Sequence, residues 1–254
     1  MIPAKNILKS GYFMKSEDAI TEVLDFVVIL GILLLSFSMI GLAGYPILRS
    51  AQETRYIENT RQSFIVMADN INKVAMGDAP SQSMDVKMYG GSLSVTRDGT
   101  IKINATNSTN KEINFSRDMG NIQNSIGDTV VAYEGTGIWV KYSSGVILNF
   151  YKPLITNQSN VLIIPVVEIS GLSSISGNGL SRVRVEGEPT VTFWSNVSNI
   201  TITVKGNFTS GWDDYFRNMK EMKWDVDSDH NARLNSTKKF DVYILSTQMY
   251  AEIL

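Results

Sequence analysis

From Phe26 to Leu48 the chain runs 23 residues without a charge, FVVILGILLLSFSMIGLAGYPIL. At about 1.5 Å per residue a helix of that length spans roughly 35 Å, against about 30 Å of bilayer hydrocarbon. A helix buried in a globular core is usually apolar on one stripe and averages about 10–14 residues. The pattern therefore predicts a membrane-spanning helix over 26–48, with Pro46 near its far end predicting a kink. Beyond it, 49–76 has neither Gly nor Pro. Its apolar positions Tyr56, Ile57, Phe64, Ile65, Val66, Met67, Ile71, Val74 and Ala75 fall near helical spacing, and Glu58 stands three residues before Arg61. Gly77-Asp78-Ala79-Pro80 predicts the stop. One helix is expected to run from Ser16 or Thr21 to Met76, its outer half amphipathic and in need of a partner surface.

The pattern then changes to a period of two. Met84–Tyr89, Ser92–Thr96 and Thr100–Asn104 read as strands, with Asp98-Gly99 as a two-residue hairpin turn. Val130–Tyr133, Ile138–Tyr142 and Val146–Tyr151 follow, the last two joined by a Ser143-Ser144-Gly145 turn. Val161–Ile169 is nearly continuous in apolar residues and reads as a central strand, in which Pro165 costs one ladder bond. Leu180–Val185, Thr190–Trp194 and Ile200–Lys205 alternate, and Phe240–Ser246 forms a last strand. Ser176-Gly177-Asn178-Gly179 reads as a flexible turn. With no Lys and no helix after it, this is not a phosphate loop. One late helix is predicted from Ser210-Gly211-Trp212-Asp213, a capping-box pattern. Trp212, Tyr215, Phe216, Met219 and Met222 then line the face that packs on the sheet. The expected class is α+β: a long N-terminal helix, then an antiparallel, sandwich-like β-rich domain over 81–254 with one late helix.

Composition removes much chemistry. The 254 residues include no Cys and one His, His230, which excludes disulfides, thiolate metal sites and a cysteine nucleophile and leaves no Ser/His/Asp constellation to argue. A net charge of −2 gives no field for nucleic acid. Asp225, Asp227 and Asp229 alternate as in a calcium loop, but His230 stands where the turn Gly belongs and Ser236 where the Glu belongs. A solvated acidic loop is the preferred reading. No catalytic residue and no cofactor site is expected.

Lys5, Lys9 and Lys15 precede the apolar run and Arg49, Arg55 and Arg61 follow it, so flanking positive charge does not orient the segment. Sequons do. Asn-x-Ser/Thr occurs at Asn104, Asn107, Asn114, Asn157, Asn196, Asn199, Asn207 and Asn235, where chance would place about 3.5. All lie beyond Leu48, which predicts a cytoplasmic 1–25 and an exported remainder.

The leader, then Ala19-Ile20-Thr21-Glu22-Val23-Leu24-Asp25-Phe26-Val27, then the uncharged helix is similar to the amino terminus of archaeal type IV pilin-like proteins. The distal chain resembles a group of uncharacterised archaeal pilin-like surface proteins at Ala68-Asp69-Asn70, Tyr133-Glu134-Gly135, 162–167, Ser176-Gly177-Asn178-Gly179 and 211–216. The resemblance implies a leader cut after Ala19, with Ile20 as the first mature residue. It also implies helices that bundle into a filament core, where a carboxylate meets a neighbour's free amine; Glu22 is the first candidate and Asp25 the second. Gly31, Ser36, Ser38, Gly41, Ala43 and Gly44 would let helices approach closely. The expected function is a pilin-like subunit or minor pilin of a cell-surface filament. The alternative is an anchored extracellular binding module that does not polymerise: an adhesin, a sensor ectodomain or a stator-like domain gripping a surface layer. Expected partners are the membrane and homo- or hetero-oligomers formed through the N-terminal helix.

Overall fold

The computed structural model describes residues 14–254 except 108, 110, 172, 220 and 221, and only the backbone of 14–20 and 236–238. Lys5 and Lys9 of the expected leader lie outside the described residues. Helix α1 runs Met14–Ala75 with Pro46 inside it. The chain forms two compact units, Met1–Thr54 and Arg55–Leu254, and α1 contributes to both.

In the first unit the large apolar side chains from Val23 to Leu48 are all exposed, from 44% at Leu30 to 81% at Leu42. This is one helix long and apolar enough to cross a membrane. Its small positions are open: a Cβ added at Gly31, Gly41 or Gly44 would meet nothing within 4 Å.

In the second unit the amphipathic part of α1 finds its partner in its own chain. Phe64, Met67, Ala68, Ile71, Val74 and Ala75, one helical face, are buried against strands of the sheet. The helix stops as its sequence dictates. Gly77 takes φ +86°, Gly77 N–H donates to Val74 O at 3.1 Å, and Asp78 N–H donates to Lys73 O at 2.7 Å. Thr247 Oγ1 donates to Ala75 O at 2.8 Å and ties that end to the sheet.

The strands are β1 (Ser81–Asn107), β2 (Glu112–Ile126), β3 (Thr129–Glu134), β4 (Gly137–Lys141), β5 (Ile147–Tyr151), β6 (Thr156–Gln158), β7 (Val161–Ser170), β8 (Ser174–Lys205), β9 (Asp225–Val226) and β10 (Asn231–Ile253). They form one ten-stranded sheet, ordered β5-β4-β3-β2-β1-β8-β10-β7-β6 with β9 on β10. Most neighbours are antiparallel; β7 lies parallel to β10. Helix α2 (Thr209–Arg217) is the one late helix.

Several expected strands merge. The three expected between Met84 and Asn104 are one strand, β1, and Asp98-Gly99 is no hairpin turn. It is a bulge: Thr96 pairs with Asn121 and Gly99 with Met119, leaving one extra residue on β1. Likewise Leu180–Val185, Thr190–Trp194 and Ile200–Lys205 are parts of β8. Ser176-Gly177-Asn178-Gly179 is not a turn between strands but lies within β8, Asn178 opposite Tyr89 and Gly179 opposite Met88. β7, expected as central, is next to last in the order, and β6 covers it only as far as Ile163, so Pro165 lies past the last β6 partner. Nor is Ser210 the cap of α2. Phe208 holds that position, without a side-chain cap bond, while Thr209 Oγ1 bonds to the N–H and C=O of Gly206.

β8 doubles back on itself. Along β1, its partners on β8 fall from Glu186 (opposite Ser81) to Ser174 (opposite Ser94), then restart at Lys205 (opposite Thr100) and fall to Val197 (opposite Asn107). Val95 N–H donates to Ser173 O at 3.0 Å, and a Cβ on Gly99 would lie 3.3 Å from Lys205 O. A straight 32-residue strand would span about 100 Å, yet its two ends meet β1 only about 20 Å apart. Two hydrophobic cores result. One holds the α1 face with Val86, Leu93, Tyr133, Val183 and Met249; the other holds Trp139, Ile202, Trp212, Phe216, Trp224 and Ile244.

Candidate functional site

The expected assembly residues lie in the first unit. Glu22 and Asp25 are exposed on α1, three residues apart, and the backbone of Ala19 and Ile20 is helical. The acidic loop is partly spent on its own hairpin. Asp225 pairs with Arg233 across β9 and β10, and Asp227 accepts from Asn231 N–H at 2.9 Å and Asp229 N–H at 2.9 Å. Arg233 reaches the same carboxylate at 2.7 Å. These hydrogen bonds hold the Asp227 carboxyl below its usual range, the Asn231 side chain contributing most. Among the described residues no three His, Asp or Glu side chains converge as a metal site.

Where the two cores meet, the structure builds something that composition and spacing did not single out. Glu134, at the tight turn between β3 and β4, is 2% exposed. Its Oε1 accepts from Trp212 Nε1 at 2.9 Å and its Oε2 from Asn121 Nδ2 at 3.4 Å; its backbone carbonyl accepts from Trp139 Nε1 at 3.0 Å. Burial pushes the carboxyl up to about 7 despite these donors, with the Asp98 carboxylate adding to the rise. Asp98, in the β1 bulge, takes the other Asn121 bond at 2.8 Å and a bond from Asn207 Nδ2. Two residues on, Thr136 O accepts from Asn72 Nδ2 of α1 at 3.1 Å, and Tyr133 OH donates to Asn72 Oδ1 at 2.9 Å. Gly135 (φ +56°) is required where it stands, since a Cβ there would lie 2.5 Å from the Trp212 ring. Two stretches quoted above, Tyr133-Glu134-Gly135 and 211–216, thus meet in one contact. The only sequence signal for it was that short Glu-Gly turn. This node joins α1, β1, β2, β3, β4 and α2.

A concavity lies elsewhere. A cleft of about 490 Å³ opens between β5 and α2, lined by Leu148, Lys152, Ile155, Asp214, Tyr215 and Met219 among others. Val146 and Leu148, at the free edge of β5, are about half exposed.

The sequons sort by environment. Asn104 faces Asn114 across β1 and β2, and Asn199 faces Asn235 across β8 and β10, all four exposed. Asn107 Oδ1 is engaged by Thr109 and by Lys111 N–H, Asn207 Nδ2 by Asp98, and Asn157 Oδ1 is buried. Asn196 stands exposed at a positive-φ bulge.

A family of unknown function, DUF7289, matches residues 19–252. No curated protein and no solved structure matches the chain. With a match over nearly its whole length, the chain belongs to the DUF7289 family, whose function is unknown.

Proposed function

We propose that this protein is a pilin-like subunit of a cell-surface filament, held in the membrane by α1 until its helix bundles with those of other subunits, with the β-rich domain outside. The observation that carries the reading is the side-chain exposure from Val23 to Leu48. A helix hydrophobic all round, left uncovered by the described residues, needs lipid or other helices. The sequon excess beyond Leu48 supports export of the domain, and the family match beginning at Ala19 sits at the expected cut. The domain would contribute a rigid body to the filament, since its buried polar groups bind its own elements together.

The anchored binding module is the second reading, favoured by the cleft beside the free β5 edge. It would hold a partner there, such as a surface layer, without polymerising. Mass analysis of the native amino terminus, with electron microscopy of the cell surface, separates the two. A chain beginning at Ile20 within helical filaments is expected. An intact leader on a dispersed membrane protein would overturn the filament reading and select the module.

A further inference from the structure

The outer face of the sheet carries an apolar patch that no described part of the chain covers. Val191 and Phe193 on β8 are 61% and 49% exposed, and Tyr243, Leu245 and Ile163 beside them are half-buried. Val191 pairs with Leu245, Phe193 with Tyr243 and Tyr243 with Ile163, so all five share one face. The Phe193 and Tyr243 rings lie 4.7 Å apart, their planes tilted by 39°. Three residues after Phe193 comes Asn196, first residue of Asn196-Val197-Ser198. The strand departs from its regular pleat here. Asn196 has φ +55°, Trp194 pairs with Val242 but Val197 pairs with Phe240, and Asn196 N–H donates to Asp241 Oδ1 at 3.0 Å. Asp241 is two residues from Tyr243, about 7 Å along β10. Asn196 is exposed, and its side-chain amide bonds to no other described residue.

We infer that Asn196 carries an N-linked glycan whose first sugar lies over the Phe193–Tyr243 pair, so that the occupant of this patch is the chain's own carbohydrate. The C–H-rich face of a pyranose is apolar and suits an aromatic surface, whereas its hydroxyls need water; a partly exposed aromatic pair whose Phe193 lies three residues before Asn196 on the same strand offers both. The bulge leaves Asn196 exposed and out of the regular pleat, whereas Asn199 stays in register opposite Asn235. In the modification a bond forms between Asn196 Nδ2 and the anomeric carbon of a sugar carried on a polyprenyl phosphate. The bond from that carbon to the phosphate oxygen breaks, the carrier phosphate leaves with the electron pair, and the amide proton passes to solvent. The inference rests on the exported placement proposed above.

The test compares the full chain, in detergent, from its native host with the same chain from a host lacking N-glycosylation. Glycopeptide mass spectrometry is expected to find sugar on Asn196. Glycosylated protein should melt about 2–4 °C above its Asn196→Gln variant. Phe193→Ala should abolish that difference, and in the glycan-free host Asn196→Gln should melt with the unaltered chain. A bare Asn196 beside other occupied sequons would overturn the proposal and leave the exported placement standing. Bare sequons throughout, with a domain shielded from protease added to intact cells, would remove both. A melting difference that survives Phe193→Ala would place the sugar elsewhere. Self-association of the bare chain that Phe193→Ala abolishes would make a second copy the occupant.

Discussion

Glu134 sets the most direct expectation at the scale of one side chain. Its carboxyl ionises near an ordinary 4.5 in the unfolded chain and near about 7 in the folded one. The folded state therefore binds more protons between those values, and stability falls as pH rises through that window. The loss is complete above pH 7 and amounts to about 3 kcal/mol. Trp212 and Asn121 face the group from α2 and β2, and the Asp98 carboxylate faces it from β1. Glu134→Gln cannot ionise, so its melting temperature should stay flat between pH 5 and 8 while that of the unaltered chain drops by several degrees. Calorimetry of the detergent-solubilised protein at the two pH values measures this. Equal slopes for the two proteins would show that the carboxyl is not held neutral.

At the scale of an element, the informative piece is the end of α1. Residues 64, 67, 68, 71, 74 and 75 bury one face in the domain, so this end of the helix packs on its own sheet. A fragment beginning near Arg55 should fold, and one beginning near Ser81 should not. Phe64→Ala should cost about 3–5 kcal/mol and Ile71→Ala about 2–5 kcal/mol, read from urea denaturation of the longer fragment. A Ser81 fragment as stable as the longer one would refute this packing. The helix was legible because its apolar spacing and its Gly-Asp-Ala-Pro stop are local signals. The α2 stripe was legible for the same reason, with Trp212 and Phe216 buried as their spacing implied; α2 ends at Arg217, so Met219 and Met222, expected on the stripe, lie beyond it. Strand ends were not. Asp98-Gly99 has the residues of a two-residue turn, but the carboxylate is held by Asn121 and Asn207, which are distant in sequence, and those bonds turn the pair into a bulge. Ser176–Gly179 likewise reads as a break, yet β1 pairs with it. Ser210 lost the cap position because Thr209, one residue earlier, bonds back to Gly206. The node at Glu134 was illegible for the same cause: its donors come from three elements.

For the whole molecule, the filament reading makes Glu22 the residue to change. When helices bundle, a carboxylate there leaves water and is costly without a positive partner, which cleavage after Ala19 would supply as the amine of Ile20 in a neighbour. Glu22→Gln should insert and fold normally yet lower filament yield per inserted subunit at least tenfold, with Asp25→Asn affecting it less. Normal filaments from Glu22→Gln would remove Glu22 from assembly. Topology has its own check. Protease added to intact cells should release the Arg55–Leu254 unit and spare the leader; a protected domain would reverse the orientation.

The doubling back of β8 also decides when the domain can form. β1 can pair with β2 once residue 126 has been made, but its other edge waits for both halves of β8, and β8 is in turn held along most of its length by β10. Neither core is complete until residues 231–253 arrive, because Ile244 serves one and Met249 the other. Such late, distant pairing makes folding slow and nearly all-or-none. A chain still emerging from a ribosome thus presents at most the open meander of β1 to β5, with neither core closed.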